Sequence, residues 1–108
     1  MNYKIIVTSF FNKQAKRLQK KYPSLRKELG DLIKELESTP HIGTPIGQKC
    51  YKVRFSIASK GKGKSGGARV ITHVDIIYTE VYLLSIYDKS EQENISYSEI
   101  QNLLNKIP

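Results

Sequence analysis

At 108 residues the chain is long enough for one compact domain, spanning 1–108, and too short for two. An apolar fraction of 39% supports a modest core, while a net charge of +8 makes a polyanion or an acidic protein the expected partner. The single Cys50 excludes an internal disulfide, His41 and His73 stand too isolated for a zinc site, and no apolar run approaches a membrane span. A cytoplasmic protein with no cofactor and no membrane partner is expected.

In chain order, YKIIV at 3–7 is β-branched and predicts a short strand. Thr8 or Ser9 can then cap a helix in which Phe11, Ala15, Leu18 and Tyr22 recur on one face. Pro23 ends that helix and suits the first turn of the next, where Leu25, Leu29, Leu32, Ile33 and Leu36 repeat the spacing until Thr39-Pro40. His41 to Gly47, with two glycines and a proline, predicts a loop. From Cys50 the period becomes two, with Tyr51, Val53, Phe55 and Ile57 alternating with Lys52, Arg54 and Ser56. Arg69–Ile77 and Glu80–Tyr87 predict two further strands, and Ser96 or Ser98 a cap for a helix carrying Ile100, Leu103, Leu104 and Ile107. The expected order is β-α-α-β-β-β-α: an α+β domain with helices packed on one face of a mainly antiparallel sheet.

The charge is uneven. Basic residues crowd the first 22 positions and the stretch KGKGKSGGAR, Lys60–Arg69, whereas only residues 70–108 carry an acidic excess. Gly63-Lys64-Ser65 imitates the end of a P-loop, but position 58 is alanine where that motif needs glycine, and a strand rather than a helix follows. Glycines that turn backbone N–H groups to one side, joined by lysine heads, suit phosphate oxygens instead. Lys52 and Arg54 share a strand face, and an antiparallel partner starting at Arg69 brings that arginine to the same surface. Crowded like charges repel unless an anion fills the site.

The two histidines lie in a loop and mid-strand, ill placed as an acid–base pair, and Asp88, Glu91 and Glu93 lack the convergent partners of a magnesium site. RNA offers chemistry that this inventory can serve: its own 2′-hydroxyl attacks the adjacent phosphorus. The protein then removes one proton, stabilises the phosphorane charge and protonates the leaving oxygen.

The element order, the lysine-rich hairpin ending in KKYPS, the strand CYKVRF, the segment GKGKSGGARVI and the run YLLSIYDKSEQENIS resemble the RelE/ParE superfamily of bacterial type II toxins. Within it they are most similar to the RelE and HigB-like ribosome-dependent mRNA interferases. The resemblance implies a RelE-like fold, an endoribonuclease needing no metal, and three partners: a cognate antitoxin, the ribosome and mRNA. It places RelE's two basic strand residues on Lys52 and Arg54, and the arginine that holds the scissile phosphate on Arg69. The tyrosine that helps activate the 2′-hydroxyl falls on Tyr97, across a local insertion. RelE's Lys-Arg pair after the last strand meets Asp88-Lys89-Ser90, so its arginine has no counterpart. Lys89 or a loop lysine stands in as the leaving-group acid, with Tyr87 and Glu91 as second candidates. The long loop implies that Lys60, Lys62 and Lys64 hold mRNA or ribosomal RNA. The alternatives are a ParE-like inhibitor of DNA gyrase, which shares the scaffold, and a non-catalytic RNA-binding module.

Overall fold

The computed structural model describes residues 2–61 and 66–107. The elements in chain order are β1 (Lys4–Val7), α1 (Ser9–Lys21), α2 (Leu25–Ser38), β2 (Thr44–Gly47), β3 (Cys50–Phe55), a 3₁₀ turn (Ala58–Lys60), β4 (Ala68–Asp75), β5 (Glu80–Asp88) and α3 (Tyr97–Leu104). The strands form one sheet in the order β1-β5-β4-β3-β2, with β1 parallel to β5 and the other pairs antiparallel.

The Thr8 side chain accepts from the Phe11 amide and caps α1, while its hydroxyl donates to Leu83 O at 2.8 Å and fastens the helix start to the sheet. Phe11, Ala15 and Leu18 of α1 and Leu25, Leu29, Leu32 and Leu36 of α2 are buried against Val53, Val70, Val74, Val81, Leu83 and Ile86. Each fully buried leucine contributes roughly 1.5–3 kcal/mol. Pro23 lies at the corner, one residue ahead of the cap position Ser24.

Three features differ from the sequence reading. Thr44–Gly47 is not loop but an edge strand on β3. Pro45 is tolerated there because an edge strand need not donate every N–H. Gly43 makes that pairing possible: its φ is +101°, and a Cβ would stand 2.5 Å from Lys52 O. The hairpin β4–β5 turns earlier than the apolar pattern suggests, leaving Ile76, Ile77 and Tyr78 exposed at its tip. Lastly, the helices do not share one face. The helical hairpin covers one side, whereas Ile100 and Leu103 of α3 pack on the other with Cys50, Ile71, Tyr82, Leu84 and Tyr87. Ser96 starts α3 with a reciprocal capping box to Glu99.

The β4–β5 ladder shifts register: Ile71 faces Ser85 and Thr72 faces Leu83, so Leu84 is left over as a bulge. Gln14 of α1 answers the irregularity, its Oε1 accepting from both Ser85 Oγ and the Ile86 amide at 3.1 Å. The bulge resets which β5 side chains face which side just before Tyr87 and Asp88.

Candidate functional site

Register assembles the site. Arg54 of β3 lies opposite Arg69 of β4, and Arg69 opposite Tyr87 of β5, so the three side chains form one row on the α3 side of the sheet. Lys52 precedes Arg54 by two residues and shares its face. Lys89 follows β5, its amide donating to Gly67 O at 3.0 Å. Lys52, Arg54, Arg69 and Lys89 line one cleft of about 270 Å³, together with Glu93 and Asn94. The four basic candidates, drawn from β3, β4 and the segment after β5, thus meet around one space.

Arg69 is the floor of that cleft, only 3% exposed, with Nη1 donating to Ala68 O at 3.1 Å. Burial, and then the charge of Arg54, lower its hold on its proton, though a guanidinium stays charged at any physiological pH. Lys52 Nζ donates to Asn94 Oδ1 at 3.4 Å. Among the described residues Glu93 forms no ion pair with Lys52, Arg54 or Lys89. Tyr97, at the first turn of α3 and 70% exposed, does not line this cleft. It lines an adjoining one of about 240 Å³ with Ile46, Ile95 and Ile100, and the two clefts share Lys52 and Asn94.

Lys60 departs from expectation. Instead of reaching outward as expected, its side chain is 7% exposed and its ammonium is ion-paired to the fully buried Asp88. It also donates to Ser90 Oγ at 3.1 Å and lies over the Tyr22 ring. The Tyr22 hydroxyl donates to the other Asp88 oxygen at 2.6 Å, and Ser90 donates to Asp88 from both its amide and its hydroxyl, at 2.9 and 2.7 Å. Burial alone would raise the Asp88 carboxyl, but these hydrogen bonds outweigh it and hold it well below the usual carboxylate range. Lys62 and Lys64 lie outside the described residues.

The remaining groups have structural surroundings. His41 sits edge-on between Tyr3 and Tyr51, and His73 lies 3.7 Å from the Cys50 thiol, which burial pushes up to about 11 and so leaves unreactive. Tyr87 is buried, and its hydroxyl has no hydrogen-bond partner among the described residues; burial raises its pKa and Arg69 opposes that rise. Glu91 is held below its ordinary value chiefly by a two-pronged bond from Arg17. Among the described residues no three metal-ligating side chains converge, and no helix is long and apolar enough to cross a membrane.

Sequence reasoning set Asp88 aside as a badly placed carboxylate and did not single out Asn94. The signal for Asp88 was present: an acid ending a run of apolar strand residues buries only with hydrogen-bond donors, a cation among them, to satisfy it. Nothing local marked Asn94, which reaches the cleft through the loop path between β5 and α3. What the arrangement can do is bind an anion: three strand-borne cations and a fourth from the following segment concentrate positive potential in a partly closed cleft.

The RelE family model, described as the RelE toxin of the RelE/RelB toxin–antitoxin system, matches residues 4–106. The chain therefore belongs to the RelE family of toxins. A doubly substituted E. coli RelE toxin in the free state matches with 17% identity and a TM-score of 0.63, covering 100% of both chains. The intact E. coli RelBE toxin–antitoxin complex matches with 20% identity and a TM-score of 0.62, over 80% of this chain and 95% of that one. The same RelE mutant has also been solved with an antitoxin RelB peptide, at 17% identity and a TM-score of 0.63. At such identities these likenesses establish the fold.

Proposed function

We propose that this toxin is an endoribonuclease that cuts mRNA on the ribosome by 2′-hydroxyl attack and is neutralised by a cognate antitoxin. The observation that carries the reading is the convergence of Lys52, Arg54, Arg69 and Lys89 on one cleft, in a member of the RelE family. A scissile phosphate seated against Arg69 and Arg54 gains charge as the phosphorane forms, and both guanidiniums are already in place to stabilise it. Lys52 on β3 and Lys89 just after β5 line the same cleft as the two guanidiniums and are the candidates for the two proton transfers. Tyr97, in the adjoining cleft, contacts the neighbouring nucleotide and helps to orient the attacking 2′-hydroxyl. The ribosome supplies what a small cleft cannot, a rigidly presented single strand. An antitoxin with an acidic, partly disordered segment complements the basic surface.

Primer extension on transcripts from cells expressing the chain tests this. Ribosome-dependent breaks are expected from the parent, reduced about 100-fold or more by Arg69→Ala. Intact transcripts accompanied by DNA damage would overturn the reading in favour of gyrase inhibition.

A further inference from the structure

The buried cluster around Asp88 lies beside the cleft without entering it. Successive residues at the end of β5 point to opposite sides. Asp88 turns toward the helical hairpin and binds Tyr22, while Lys89 joins the cationic cleft. The Asp88 carboxylate holds Lys60, the last residue of the 3₁₀ turn, and Ser90, one residue beyond Lys89. The same turn is tied to the hairpin corner: the Ser59 amide donates to Ser24 Oγ at 2.9 Å and the Ala58 amide to Glu28 Oε2 at 2.7 Å. On the far side of the glycine-rich stretch, Gly67 O accepts from the Lys89 amide, and Ala68 pairs with Asp88 in the ladder. Asp88 and its two neighbours therefore bond to both flanks of that stretch.

We infer that Asp88, Lys60 and Tyr22 are positioning residues: a buried clamp that fixes Lys89 and the Arg69 end of β4 in the relative placement the anion cleft requires. None of the three lines the cleft. They act through the backbone of residues 88–90 and through the base of the glycine-rich stretch. The geometry favours a clamp over simple packing because the Asp88 carboxylate ties three stretches together: the 3₁₀ turn through Lys60, the helical hairpin through Tyr22, and the residues around Lys89 through Ser90. Ordinary apolar side chains would fill the same volume without fixing direction. The inference rests on reading the cleft as an anion site, and through it on the proposed nuclease activity.

The test replaces both buried charges and the Tyr22 hydroxyl at once, since removing one charge leaves the other buried and unpaired and can unfold the chain. Tyr22→Phe, Lys60→Met and Asp88→Leu are combined, a volume-conserving swap of a buried polar network for apolar groups that commonly leaves stability unchanged or higher. Two measurements follow. In an NMR titration with inorganic sulfate, the parent shows saturable shifts at Arg54, Arg69 and Lys89, and the folded triple variant binds about tenfold more weakly. On programmed ribosomes its cleavage turnover falls about 100-fold, as a misplacement of roughly 1 Å can cause, with ribosome affinity unchanged. Restoring Lys60 and Asp88 together recovers most of both readings, and restoring Tyr22 as well recovers the rest. A folded variant with the parent's sulfate affinity overturns the clamp, whether or not the parent cuts RNA, as does a parent that binds no sulfate. A triple variant that does not fold is replaced by Tyr22→Phe with Lys60→Arg, for which an undiminished sulfate affinity overturns it equally. Sulfate affinity that falls while the parent cuts no transcript leaves the clamp standing and sinks the nuclease reading.

Discussion

Lys60 and Lys89 are the same residue type, both bordering the glycine-rich stretch, and the fold treats them in opposite ways. Lys60 is buried and neutralised by an acid that the chain supplies, with Tyr22 and Ser90 completing the hydrogen bonds of that acid. Lys89 lines a cleft with three other cations and one carboxylate, Glu93, that pairs with neither Lys52, Arg54 nor Lys89 among the described residues. A charge paired internally serves the fold, and like charges gathered around one cleft serve a ligand. The two regions meet at consecutive residues, Asp88 at the end of β5 and Lys89 just beyond it, which go to opposite sides.

The comparison is broken most severely at the acid. Asp88→Ala leaves the Lys60 ammonium buried without its partner, and a loss of about 3–5 kcal/mol is expected in urea unfolding. A loss below about 1 kcal/mol would mean that Lys60 swings into water and that the pair is not tightly held. The same carboxylate sets an acid limb. Its pKa is depressed in the folded chain against a reference of 3.8, so its contribution is complete above that value and fades as pH falls toward the folded one. Parent stability should therefore drop below about pH 4 more steeply than that of Asp88→Ala.

Tyr22→Phe is milder, because Asp88 keeps Lys60 and Ser90. The lost bond is short, buried and made to a charged acceptor, which places the cost at about 2 kcal/mol by thermal or chemical unfolding. A cost under about 0.5 kcal/mol would show that Lys60 and Ser90 alone satisfy the carboxylate.

How much of this contrast could be read from the residues depends on the kind of periodicity each carried. Phe11, Ala15, Leu18 and Tyr22 spelled out a helix face, and all four are buried as expected. The alternation of Lys52 and Arg54 with Val53 and Phe55, together with an antiparallel partner at Arg69, was enough to foresee that these cations share a surface. The placement of α3 was missed, although β4 and β5 are near-continuous apolar runs, VYLLSIY above all. Such runs signal cover on both faces of a sheet. Lys60 was grouped with Lys62 and Lys64 because composition treats a lysine-rich stretch as uniform. Its burial depends on Asp88, 28 residues away, and on a bulge at Leu84 that sets which way Asp88 points. No local pattern carries a contact of that kind. Strand β2 was hidden by Pro45, a residue that argues against a central strand but not against an edge.

The smallest expected effect is the most discriminating, because its sign is reversed. Arg54 lies opposite Arg69 in the ladder and is exposed, so neutralising it removes repulsion and breaks no ion pair among the described residues. Arg54→Gln should raise stability at low ionic strength by about 0.5 kcal/mol or less, and the gain should vanish near 1 M salt, where screening acts within about 3 Å. Sulfate should stabilise the parent more than the variant, since an anion that binds only the folded chain adds stability according to its concentration over its dissociation constant. Lys60→Gln, which strips a buried carboxylate of its cation, should move stability the other way. If both substitutions destabilise alike, the cleft cations hold the fold together as Lys60 does, and no anion is needed to explain why they are gathered there.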